Sequence, residues 1–299
     1  MLLRHLFFIT TVVALLGACS STPPAPSPSL PSSTLSKPLP RIALALGGGG
    51  ARGFAHIGVI QALEENGIQI DMLTGTSAGS LVASLYASGM SGQALKQLAQ
   101  KMDEAEIADW VLPFNSKFGG VIRGEALQKY VYKLLHGRTI EQLQKPLGIV
   151  ATELDSGKSV LFRYGDTSQA VRASSSIPGV FQPTIIAGKA YVDGGLVAPV
   201  PVHFARDMGA TFVIAVNISA EASTQPVHGL TGAVLKSTAI MGQTINQYEL
   251  AQADIVIRPY LATMSSSDFQ LRNMAIAAGE KATLEKLPEL LEKIRQLKQ

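Results

Sequence analysis

Short apolar runs closed by glycine or a polar cluster alternate along most of the chain with stretches whose apolar positions recur at helical spacing. Arg41–Leu46 is such a run, ended by Gly47, and predicts a buried strand. Phe54, Ile57, Ile60, Gln61 and Leu63–Glu65 then follow a helical period that Asn66-Gly67 stops. Ile70–Leu73 predicts a second buried strand and Ser80–Ala87 a second helix. Leu147–Thr152 and Ser159–Phe162 flank Asp155-Ser156-Gly157-Lys158, a hairpin signal. Thr211–Ile218 and Asp254–Pro259 predict two further strands, and Leu284–Leu297 an amphipathic closing helix. Strands alternating with helices imply an α/β fold, a three-layer sandwich around a central, mostly parallel sheet. Ligands of such sheets sit beyond the carboxyl ends of the strands, so the chemistry is sought there.

Composition narrows the function classes. Of 299 residues, 46% are hydrophobic and 16% charged, which excludes a disordered chain. The net charge of +3 is spread thinly with no Lys/Arg cluster, which argues against nucleic acid as a partner. One cysteine allows neither an internal disulfide nor a Cys-based zinc site, and the five scattered histidines form no HxxxH pair, so no metal site is expected.

The amino terminus reads as an address and a tether. Arg4 precedes an apolar run from Leu6 to Leu16, too short to span a bilayer and followed by Gly17 and Ala18. Leu16-Gly17-Ala18-Cys19 resembles the bacterial lipobox, which implies lipidation of Cys19 and a membrane anchor. An ordinary export signal with an incidental Cys19 is the plainer alternative; the position of the chain's one cysteine favours the lipoprotein. With Ser20 after the cysteine, the expectation is a bacterial cell envelope location, at the outer membrane in a Gram-negative host. Residues 20–40 hold seven prolines and seven serines and read as an extended spacer. The expected organisation is therefore a signal over 1–19, a linker over 20–40 and a folded body over 41–299.

Three motifs fall at strand ends. Gly47–Gly53, with Gly48, Gly49, Gly50, Arg52 and Gly53, follows one strand and opens a helix. Its backbone N–H groups form an anion site, fit for a pyrophosphate or for the oxyanion of acyl transfer. Gly75-Thr76-Ser77-Ala78-Gly79 is a G-x-S-x-G, the small-residue pattern of a nucleophile elbow, with the positive end of the next helix at Ser77. Asp193-Gly194-Gly195 follows an apolar Tyr191-Val192 and can leave its carboxylate open to a neighbour, although Asp-Gly alone is more often a plain turn.

Together the three motifs resemble the patatin-like phospholipase family, over roughly Ile42 to Pro201 and within a motif core of about 42–206. The flanks Leu46–Gly58 and Arg172–Phe181 share the likeness, as does the Ala253–Pro259 block of the compact bacterial branch. The resemblance implies a patatin-like fold and a Ser77–Asp193 catalytic dyad working through an acyl-enzyme. It also implies an oxyanion hole from Gly48, Gly49 and Gly50, no cofactor, and a phospholipid, lysophospholipid or other acyl ester as substrate. Arg52 is a candidate to position the loop or a phosphate head group. One departure is Ala198 before Pro199, where many relatives carry Asn; altered loop packing is the expected consequence.

Other readings stay open at this point. His203 and His228 follow Asp193 in the Ser, Asp, His order of α/β-hydrolases, whereas His56 reads as a packing residue. Asp71, eighteen residues after Gly53, is the candidate ribose acid of a dinucleotide site. A non-catalytic lipid-binding scaffold is the third alternative. Segment Gln93–Phe118, with Ile107, Trp110, Val111 and Phe114, is either core or a lid facing lipid.

Overall fold

Five consecutive apolar residues cannot face water on either side, and the first strand, β1 (Ile42–Leu46), is buried throughout. Its side chains alternate between two cores. Ile42, Leu44 and Leu46 enter the larger one, Ala43 and Ala45 the smaller. The computed structural model describes residues 40–102, 122–219 and 229–298. The Cys19 signal, most of the Pro/Ser linker, His228 and the Ile107–Phe118 stretch lie outside the described residues.

Around β1 the sheet adds β2 (Met72–Thr76), β3 (Leu147–Glu153), β4 (Ser159–Phe162), β5 (Thr184–Ile186), β6 (Lys189–Asp193), β7 (Phe212–Val216) and β8 (Ile255–Ile257). Their order is β5-β6-β3-β2-β1-β7-β8, with β4 paired to β3. The run from β3 to β8 is parallel, and β4, β5 and β6 add antiparallel pairings at one side. Helices α1 (Phe54–Glu65), α2 (Ala78–Ala87), α3 (Gly92–Lys101), α4 (Glu125–Leu135) and α5 (Thr167–Ser174) contribute to the larger core. The opposite face is covered by α6 (Val202–Asp207) and the end of α7 (Gly229–Leu250), while α8 (Arg272–Lys298) returns to pack on α1. This is the expected three-layer sandwich with a mostly parallel sheet.

Register carries the functional consequence. Leu46 lies beside Gly75, Thr76 beside Val150, and Ala151 beside Asp193. The residues just past β1 and β2 and the last residue of β6 therefore meet along one line across the sheet.

Several boundaries differ from the sequence expectation. β2 starts two residues later than Ile70 and continues through Thr76, because the buried Thr74 and Thr76 hydroxyls donate to the carbonyls of Pro201 and Ala198 at 2.9 and 2.8 Å. The closing helix starts at Arg272 rather than Leu284 and runs through Pro288. Its first half is small-residue sequence that reads poorly as an amphipathic helix but lets α8 lie directly on α1. A Cβ on Gly58 would fall on the Ile276 carbonyl, and one on Gly279 on the Ala55 carbonyl. Alanine normally gains about 0.5–1 kcal/mol over glycine inside a helix. Here overpacking reverses the sign, so Gly279→Ala should lower Tm by about 5 °C. An unchanged or raised Tm in a thermal melt would show that the two backbones do not touch.

Candidate active site

Ser77 occupies a backbone conformation that a residue with a side chain rarely adopts, φ 53° and ψ −126°. Such a geometry costs about 1–3 kcal/mol and persists only where the surroundings hold it. Its N–H donates to Ser174 Oγ at 2.8 Å, and Ser174 in turn donates to the Val150 carbonyl. Its carbonyl accepts from the N–H and the hydroxyl of Ser80, at 2.8 and 2.6 Å. The flanking glycines are required by space. A Cβ at Gly75 would stand 2.6 Å from Ser80 Cα, and one at Gly79 would fall on the Leu46 carbonyl. α2 begins at the next residue, so the positive end of its dipole faces the serine.

Asp193 ends β6, with its N–H donating to the Ser176 carbonyl and its own carbonyl accepting from Thr152 Oγ1, both at 2.9 Å. Its carboxylate accepts the Gly195 N–H at 2.6 Å and lies near the Ser77 side chain, which draws its pKa down. Both neighbouring glycines are sterically fixed: a Cβ on Gly194 would meet the Val150 carbonyl, and one on Gly195 would sit 2.9 Å from Asp193 Oδ1. Burial pushes the Asp193 carboxyl up to about 6, against the opposing pull of the Gly195 N–H and the nearby Ser77 side chain. No cation pairs with it among the described residues.

The glycine loop crosses directly over the serine: a Cβ at Gly48 would lie 3.1 Å from Ser77 Cβ, and one at Gly53 2.8 Å from Ala78 Cβ. The three candidate donors are not equivalent. Gly48 N–H already donates to the Pro199 carbonyl at 2.9 Å, whereas the N–H groups of Gly49 and Gly50 have no partner among the described residues. Gly50 adopts φ 59°, and its next neighbour Ala51 donates to the Ser266 carbonyl. Arg52 folds back so that Nε donates to the Gly49 carbonyl at 3.2 Å; burial lowers its pKa, and it has no acidic partner among the described residues.

With this geometry in view, the sequence pattern of the patatin-like phospholipase family matches residues 44–206, more than half of the chain. The chain belongs to the patatin-like phospholipase family. An uncharacterized NTE family protein of Mycobacterium bovis is 40% identical over 180 residues, 60% of this chain and 49% of that protein. Human patatin-like phospholipase domain-containing protein 6 is 34% identical over 187 residues, 61% of this chain and 14% of its own length. The chain thus spans half or less of these relatives' length. Among solved structures, VipD from Legionella pneumophila shares the fold at a TM-score of 0.57 and 17% identity, covering 84% of this chain and 67% of that one.

The dinucleotide site and the Ser-Asp-His triad fit this geometry less well. Asp71, the candidate ribose acid, accepts the N–H of Ile42 at 2.7 Å and so lies at the amino ends of the strands, opposite the glycine loop. His203 pairs through Nδ1 with Glu249, whose other oxygen accepts the N–H groups of Val202 and His203 at 3.0 and 3.1 Å. Its imidazole makes no bond to Ser77 or Asp193 among the described residues. Sequence reasoning missed Ser174 and Glu249. The Arg172–Phe181 flank contained a pointer to the first; nothing in the local pattern around Glu249 marks the second.

The raised Asp193 pKa has a measurable sign. An acid whose folded pKa lies above its unfolded value destabilises the fold when ionised, so the penalty is absent below pH 3.8 and complete above about 6. Asp193→Asn should therefore be more stable than the parent at pH 8, by about 2–3 kcal/mol, with the difference vanishing near pH 3.5. Chemical denaturation at both values checks this; a less stable variant at pH 8 would contradict it.

Proposed function

We propose that this protein is a serine lipid acyl hydrolase of the phospholipase A, lysophospholipase or carboxylesterase type. The observation that carries the reading is the buried Asp193 carboxylate beside the side chain of Ser77, which stands on a strained elbow. Ser77 Oγ attacks the ester carbonyl while Asp193 accepts its proton with no histidine between them. A carboxylate at its ordinary pKa is a weak base, and the shift to about 6 brings it closer to the working range. The tetrahedral oxyanion meets the unpartnered N–H groups of Gly49 and Gly50, and each such donor contributes about 3–4 kcal/mol elsewhere. Collapse expels the alcohol, which leaves with the proton from Asp193. Water then attacks the acyl-enzyme, gives its proton to Asp193, and the acid departs as Ser77 regains its hydrogen.

The family description as phospholipases supports a lipid ester as substrate. Arg52, beside the loop and without an acidic partner among the described residues, suits a phosphate head group. In the same reading, a lipidated Cys19 and the Pro/Ser spacer tether the enzyme to the bacterial envelope and present it to membrane lipid. No described helix is long and apolar enough to cross a membrane.

The full chain should hydrolyse p-nitrophenyl butyrate, and Ser77→Ala should lose at least about 10³-fold in kcat. Asp193→Asn should lose a comparable factor. In the parent, kcat/KM should rise with pH through about 6, because the base acts only when ionised. Activity in both variants equal to the parent, or a rate that falls on leaving acid pH, would refute the dyad. If Trp110 and Phe114 face lipid, Trp110→Ser with Phe114→Ser should impair hydrolysis of vesicle lipid more than of the soluble ester; equal losses would assign them to the core.

A further inference from the structure

One buried polar side chain beside the site takes no part in the chemistry above. His56, in the first turn of α1, is fully buried, and its Nε2 lies 2.8 Å from the Gly47 carbonyl. A carbonyl only accepts, so Nε2 carries the ring proton and Nδ1 is the bare acceptor. That Nδ1 is buried with no partner among the described residues. An unsatisfied buried acceptor costs about 1–3 kcal/mol, which an apolar side chain of similar shape would avoid. The bond to Gly47 is the return for keeping an imidazole there.

The target of that bond is specific. The Gly47 carbonyl and the Gly48 N–H belong to one planar peptide group and point to opposite sides of it. His56 donates to the carbonyl end, and the N–H end donates to Pro199. The preceding Gly47 N–H is fixed as well, donating to Val216 at 3.1 Å. Four consecutive glycines would otherwise sample many conformations at little steric cost. Clamping this plane at both ends sets the starting direction of the Gly49 and Gly50 N–H groups, the two without a partner among the described residues.

We propose that His56, as the Nε2–H tautomer, is a positioning residue that clamps the Gly47–Gly48 peptide against Pro199 and so aims the Gly49 and Gly50 N–H groups at the oxyanion. This rests on the hydrolase reading above. Burial holds the imidazole neutral, down to about 4, in keeping with a fixed donor rather than a proton carrier. Glutamine can place its Nε2 near that of histidine, whereas leucine fills the space without a donor.

The experiment compares the full-length parent with His56→Leu and His56→Gln, with kcat expressed per fluorophosphonate-titrated Ser77. His56→Leu should lose about 100-fold in kcat with KM within about threefold, and His56→Gln should recover to within about tenfold of the parent. Leucine retaining kcat within about threefold, or glutamine losing as much as leucine, overturns the proposal. Nitrogen-15 spectra give a second reading that needs neither turnover nor a folded leucine variant. The parent's His56 should show a protonated Nε2 and bare Nδ1, and the Gly49 and Gly50 amide signals of His56→Gln should stay close to the parent's. A protonated Nδ1, or displaced signals in the glutamine variant, overturns the clamp. A parent that neither turns over ester nor captures fluorophosphonate refutes the hydrolase reading, and the spectra alone then decide the clamp.

Discussion

A carboxylate held out of water without a balancing cation among the described residues is the constraint around which the rest of the site is arranged. Asp193 is buried, its carboxylate accepts the Gly195 N–H, and its neighbour is the Ser77 side chain. Ionisation in such a place is unfavourable, and that is what gives the group a useful basicity. The strained Ser77 backbone adds a further cost of about 1–3 kcal/mol at the same point. Both are sustained by a core in which β1, β2, β3 and β7 are buried on two faces. On the proposed hydrolase reading, stability and reactivity therefore pull against each other here, which is common where a site needs strain or an uncompensated charge.

A short irregular segment joins the parts of the site. Ala198, Pro199 and Pro201 turn their carbonyls toward the neighbouring strand ends, where they accept from Thr76 Oγ1, Gly48 N–H and Thr74 Oγ1. Its far end is held by the Glu249 carboxylate at the start of α6. The serine strand, the glycine loop and the aspartate turn are thus fastened to one piece of chain. Ala198 is fully buried with Val150 and Phe204. The bond to Thr76 is made by the Ala198 backbone carbonyl and does not depend on the side chain at this position.

Much of this was legible in the sequence, for identifiable reasons. β1, β3 and β7 announce themselves because a strand buried on both faces needs a continuous apolar run, and the half-exposed β4 was legible from the Asp155–Lys158 turn before it. The two G-rich motifs and the Asp-Gly-Gly turn were visible because each glycine marks a place where a Cβ would strike backbone or a side chain. α7 was not anticipated: Gly229–Leu250 is rich in threonine and glycine and carries little helical periodicity, and its end is fixed by tertiary contacts of Asn246, Glu249 and Leu250. The commitment of Gly48 to Pro199 was equally hidden, since it depends on a residue about 150 positions away in the chain. The same holds for His56, whose burial was foreseen but whose bond to Gly47 required the loop geometry.

The most direct test of the central claim is to treat the full chain with a fluorophosphonate and locate the adduct by peptide mass spectrometry. A nucleophile on the elbow predicts a single adduct on Ser77, absent in Ser77→Ala and formed far more slowly in Asp193→Asn. An adduct at another serine, or none in a folded parent, would contradict the account.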